Sequence, residues 1–79
     1  MSSIFSGCKS LTNIDLSNFN TNNVIYMNQM FYNCSSLTSL NLSNFNTNNV
    51  NNMRSMFYDV NKKKCKLECK DEGILKKFS

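Results

Sequence analysis

Histidine, tryptophan and proline are absent from this 79-residue chain, and glycine occurs only twice. Without histidine the commonest general base is gone, along with any two-histidine metal site, and most hydrolase templates go with it. No stretch approaches the roughly 20 consecutive apolar residues that a membrane helix needs, so no spanning segment is predicted. The opening residues, MSSIFSGCKS, lack a basic region followed by an apolar run, so they do not read as a secretory leader. A chain this short holds one small core at most, burying about 60% of its unfolded surface. What fills the composition instead is asparagine, at 15 residues. A bias that strong calls for a structural cause.

The formal charge of +4 points toward nucleic acid until it is divided along the chain. Residues 1–59 carry Lys9 and Arg54 against Asp15 and Asp59 and are neutral, while residues 60–79 carry seven lysines against Glu68, Asp71 and Glu72, which leaves the whole +4 there. The basicity belongs to a terminal segment. Lys62, Lys63, Lys64 and Lys66 have no interleaved aromatic platform and no groove-reading helix, so a solvated loop is expected and nucleic acid is not.

Self-similarity dominates the rest. Residues 4–29 (IFSGCKSLTNIDLSNFNTNNVIYMNQ) and 30–55 (MFYNCSSLTSLNLSNFNTNNVNNMRS) agree at 15 of 26 positions. The paired positions include Phe5/Phe31, Cys8/Cys34, Leu11/Leu37, Leu16/Leu42, Phe19/Phe45, Val24/Val50 and Met27/Met53. A third copy opens at Met56 and Phe57, then departs where Val60 replaces the expected cysteine. Met1 is in phase with Met27 and Met53, so the chain begins in mid-repeat, and a further repeat is expected to precede it.

Within a copy, Asn13-Ile14-Asp15-Leu16-Ser17 alternates with the period of a strand, Ile14 and Leu16 sharing one face. From Val24 through Met27, Met30, Phe31 and Cys34 the steps of three and four predict one short helix or 3₁₀ turn. Asn20-Thr21-Asn22-Asn23 between them is turn chemistry, with Asn22 or Asn23 placed to cap that helix. Each unit reads strand, turn, short helix, turn. Such a unit buries its apolar face only by stacking on its neighbours, which is the logic of a solenoid. Stacking predicts ladders of like amides, Asn18/Asn44, Asn20/Asn46 and Asn22/Asn48, one column Phe5/Phe31/Phe57 and another Phe19/Phe45.

LTNIDLSNF and LTSLNLSNF both fit L-x-x-L-x-L-x-x-F. Joined to NTNNV, M-x-x-M-F and the repeated cysteine, this resembles the BspA-like leucine-rich repeat surface proteins of bacteria and protists, over residues 1–58. The resemblance implies a short leucine-rich-repeat-like α/β solenoid with a parallel sheet. It also implies an extracellular or cell-surface place and a role in adhesion or protein binding, this chain being the C-terminal part of a longer array. The predicted division is a repeat array over 1–60 and a C-terminal cap over 61–79. In the cap, Cys65, Leu67 and Cys69 alternate as one more strand, and Asp71 caps a final helix whose Ile74, Leu75 and Phe78 share a face.

The outward strand positions Asn13, Asp15, Ser17, Ser39, Asn41 and Ser43 are the candidate binding residues, because repeat proteins bind through such a face. No catalytic set is predicted: Asp15 becomes Asn41 in the second copy, and the serine beside it is a repeated scaffold position. No metal or other cofactor is predicted either, since Cys65-x-x-x-Cys69 matches no common zinc module. Cys8 and Cys34 fall one coil apart, a spacing open to a reduced buried pair or a disulfide. An array closed only at its C-terminal end predicts self-association through the N-terminal edge when the chain is isolated. The alternative role is a structural end of an array with no ligand contact of its own.

Overall fold

The computed structural model describes residues 2–78; the expectation for Met1 lies outside them. The alternation read around Ile14 forms a short strand, β1 (Asn13–Asp15), and its counterparts form β2 (Ser39–Asn41) and β3 (Lys66–Glu68). They make one sheet in the order β1-β2-β3, parallel throughout because each strand returns to the same end by a long crossover. Ile14 lies opposite Leu40 and Leu40 opposite Leu67. The first step spans 26 residues and the second 27. Val60 still follows the 26-residue period, its amide bonding the Phe57 carbonyl as Cys34 bonds Phe31. The extra residue therefore falls between Val60 and Lys66. There the Asn61 side chain accepts the Lys63 and Lys64 amides and gathers the longer loop.

The expected short helix or 3₁₀ turn over 24–34 is corrected by the structure: no helix forms there, and 28–33 is a run of turns. Two columns of left-handed residues explain it: Ser3, Gln29 and Ser55 at φ 56–57°, and Gly7, Asn33 and Asp59 at φ 61–76°. A residue of that hand reverses the winding every few positions, so a 3.6-residue spiral cannot propagate. Glycine, asparagine and aspartate in the second column are the types that tolerate it. The amides freed from helix bonding point along the stack instead. Phe5 and Gly7 donate to the carbonyls of Met30 and Tyr32, and Gln29, Phe31 and Asn33 donate to those of Arg54, Met56 and Tyr58. Each turn segment is thus tied to the next much as strands are. A regular parallel bridge on this side joins Tyr26 and Asn52.

The core lies between the sheet and these turns, built from Ile14, Leu16, Met27, Met30, Phe31, Cys34, Leu37, Leu40 and Leu42 with Phe45, Met56, Phe57 and Ile74. The first phenylalanine column is present, with ring centroids 5.7 Å apart for Phe5 and Phe31 and 5.6 Å for Phe31 and Phe57. The second is not: no stacked pair joins Phe19 to Phe45 among the described residues, where Phe19 is exposed and Phe45 buried. The like-amide ladders are also corrected. Asn20, Asn46, Asn52 and Asn61 each accept an amide two residues ahead, and the bonds between coils are staggered, Asn46 and Asn49 reaching Asn22 and Asn44 reaching the Ser17 carbonyl. The asparagine bias is chiefly turn chemistry.

One helix, α1 (Glu72–Phe78), follows the sheet. Asp71 caps it by accepting the Ile74 amide at 3.0 Å, and its other bonds go to Thr47, amide and hydroxyl, at 3.0 and 2.7 Å. In the preceding coil the equivalent Thr21 bonds the amide and carbonyl of Asn46. Asp71 therefore supplies at the end of the stack a contact that coil backbone supplies inside it. Gly73 is required by the same approach, since a Cβ there would meet Thr47 Oγ1 at 2.6 Å. Ile74 is buried and the Phe78 ring stands edge-on against Phe57, at 5.1 Å and 89°. Leu75, expected on the same inward face, is exposed.

Candidate functional site

The strand alternation that buries Ile14 and Leu40 turns the flanking residues of each strand outward. Parallel register then arranges them in rows: Asn13, Ser39 and Lys66 in one, Asp15, Asn41 and Glu68 in the next. Asn13 and Asp15 are exposed, whereas Ser17, Ser39, Asn41 and Ser43 are half-buried. All six expected residues lie at or just beyond the strand ends of one face. The expectation missed the third member of each row, Lys66 and Glu68. Their signal was available: pairing Leu67 with Leu40 places Lys66 and Glu68 beside Ser39 and Asn41.

The six are not equivalent chemically. Asp15 accepts the Ser17 amide at 2.9 Å, and Asn41 accepts the Ser43 amide at 3.0 Å. Both side chains close the turn that ends their strand. Bonds from the Ser17 hydroxyl and amide hold the Asp15 carboxyl below the usual carboxylate range. The face therefore divides into a turn-forming row and, beside it, Asn13, Ser39 and Lys66, whose side chains make no hydrogen bond to the rest of the chain among the described residues. A row of one amide, one hydroxyl and one ammonium suits polar recognition.

The cysteines sit in the packing. Cys34 is buried with its thiol 3.0 Å from the Phe5 carbonyl, and all four thiols are free. Burial pushes the thiols of Cys34, Cys65 and Cys69 up, away from the thiolate that nucleophilic or metal chemistry needs. Among the described residues no group of three or more Cys, Asp or Glu converges on a common point.

Away from the sheet, Tyr32 and Tyr58 stack at 4.9 Å and 15° beside Gln29 and Arg54, lining a shallow groove of about 530 Å³. The first copy carries Ser6 at the corresponding position, so the tyrosine pair belongs to the second and third copies. A second groove, of about 640 Å³, lies between α1 and the turn segment of the third copy.

What fold and surface define together is a small chain with a three-stranded parallel sheet, a polar outer face and one short helix. The family described as a Mycoplasma protein of unknown function, DUF285, matches residues 1–71, and the chain belongs to that family. Neither the curated proteins nor the solved structures compared with the chain give a match. Among the described residues no helix is long and apolar enough to cross a membrane.

Proposed function

We propose that this chain is a non-catalytic protein-binding or adhesion module of a surface protein, built as a BspA-like leucine-rich-repeat solenoid. Its array covers 1–60 and its terminal cap 61–79. The observation that carries the reading is the in-register outer face of the sheet, where Asn13, Ser39 and Lys66 line up and, among the described residues, have no side-chain hydrogen-bond partner. Rigid rows at a fixed spacing of roughly 4.8 Å are how stacked-repeat proteins present contacts to a partner. Membership of a Mycoplasma family supports a surface setting. The repeat character is supported by the 26-residue register, by the stacked Phe5, Phe31 and Phe57 rings, and by the two left-handed columns.

The test is adhesion of beads coated with the purified chain to cultured epithelial cells, beside beads carrying Asn13→Arg with Ser39→Arg. Both substitutions point outward, and circular dichroism checks that the fold is kept. Loss of adhesion in the variant is the expected result; equal adhesion of both removes the sheet face from the role.

A second reading has its own observation. Asp71 bonded to Thr47, with Phe78 edge-on against Phe57, favours a structural end of the stack with no ligand contact. Absence of adhesion by either bead type supports it.

A further inference from the structure

The groove of about 640 Å³ beside α1 is lined mostly by apolar surface, with Lys62, Lys63 and Lys77 at it and a row of backbone amides along one wall. In the second copy the amides of Gln29, Phe31 and Asn33 each donate to a carbonyl of the third copy, at 2.9, 2.9 and 2.8 Å. One period later the same positions are Ser55, Phe57 and Asp59, which line the groove. Their backbone repeats the same left-handed geometry at Ser55 and Asp59. Among the described residues none of these three amides has an acceptor.

We infer that this groove binds an extended, acidic peptide segment of a partner protein, laid alongside residues 55–59. Three properties converge on that ligand. The contacts inside the chain show what such a row of amides takes: a neighbouring segment offering carbonyls at alternate residues, the geometry of strand addition. The position of α1 selects a single extended chain over a whole further coil, because the helix already occupies this end of the chain, with Phe78 on Phe57 and Asp71 on Thr47. The charge selects an acidic sequence. Lys62, Lys63 and Lys77 line the groove against the one carboxylate of Asp59, three positive charges less one negative, or +2. Donors and cations so arranged attract carbonyl and carboxylate oxygens and repel basic segments. The site is separate from the sheet face.

The probe is a fluorescein-labelled octapeptide, acetylated and amidated, alternating glutamate with leucine. Its counterpart alternates lysine with leucine. Fluorescence anisotropy with the full chain is expected to show saturable binding of the acidic peptide and none of the basic one. Lys62→Glu with Lys77→Glu, two exposed positions, is expected to weaken binding about tenfold at low salt. The decisive readout is residue-resolved amide exchange by NMR. Bound peptide slows exchange at Ser55, Phe57 and Asp59 and leaves the already bonded Phe31 and Asn33 unchanged. No saturable binding overturns the proposal. So does binding that the charge variant loses without any slowing at those three amides, or equal binding of an oligothymidylate of similar charge, since either identifies the lysines as a general polyanion patch.

Discussion

Leu11 and Leu37 are the same residue at the same place in two copies of one repeat, yet the first is 38% exposed and the second 1%. Phe19 and Phe45 differ in the same way, at 46% and 5%. The first copy has a neighbour on one side of it and the second has neighbours on both. Burial here is set by position in the stack, and the local sequence only makes each residue eligible for it. The largest expected effects follow from that contrast. Phe31→Ala removes the middle ring of the column and should cost about 3–5 kcal/mol. A chain of this size has a total stability of about 4–12 kcal/mol, so chemical denaturation should find the variant largely unfolded or close to it. Phe5→Ala, at the half-buried end of the same column, should cost well under half as much. Leu37→Ala against Leu11→Ala gives a second pair, roughly 2–4 kcal/mol against less than about 1. Equal costs in either pair would mean that the first copy is covered in solution.

Asp71 extends the comparison from coil to end, because it gives Thr47 what Asn46 gives Thr21. Asp71→Ala removes both the contact and the cap of α1, at about 1–2 kcal/mol. Gly73→Ala tests the same approach sterically and should lower Tm by driving a methyl group into Thr47. The Asp71 carboxyl is raised by burial, but bonds from Thr47, Ile74 and Gly73 outweigh this and hold it below the usual range. A carboxylate depressed in the folded state stabilises above its unfolded pKa, about 3.9, and loses that contribution as pH falls through the lower folded value. Asp71→Asn should therefore flatten the acid limb of a stability profile while costing little shape. An unchanged limb would place the acid sensitivity elsewhere.

How far the fold was legible follows from which contacts recur in sequence. The strand at Ile14 and its copy at Leu40 were readable from alternation and period, and β3 from Cys65, Leu67 and Cys69, because inward and outward residues leave a two-residue trace. The cap at Asp71 was readable from helix-end chemistry. The turns were not, since apolar steps of three and four arise equally from a helix and from right-handed turns interrupted by left-handed residues. Gly7, Asn33 and Asp59 were the available clue, three tolerant residues in one column. Of the candidate face, the outward positions were legible, but the use of Asp15 and Asn41 in closing their own turns needed the backbone geometry. Which amides beside α1 have no acceptor among the described residues required both neighbours of each turn segment to be known.

The left-handed column offers a smaller, sharper test. Asn33→Ala places an ordinary side chain at φ 61° and should cost about 1 kcal/mol, whereas Asn33→Gly should be close to neutral. A retained Tm in the alanine variant would argue that the turn segment relaxes to the helical form expected from its apolar spacing, and far-ultraviolet circular dichroism would show the gain in helix.

The smallest expected effect is at Asp15, where the two copies already differ by nature. Asp15 and Asn41 accept the same amide two residues ahead at nearly the same distance, so the turn does not need the charge. Asp15→Asn should leave Tm at neutral pH unchanged within error, and Asp15→Ala should lower it slightly by leaving the Ser17 amide to water. The carboxylate, held low by Ser17, makes its contribution above the unfolded pKa and loses it on acidification. The asparagine variant should thus match the parent at neutral pH and lose less of its stability in acid. If Asp15→Asn also weakens adhesion of the coated beads while the fold is intact, the charge has a partner outside the chain, and the turn-closing row belongs to the binding face together with Asn13, Ser39 and Lys66.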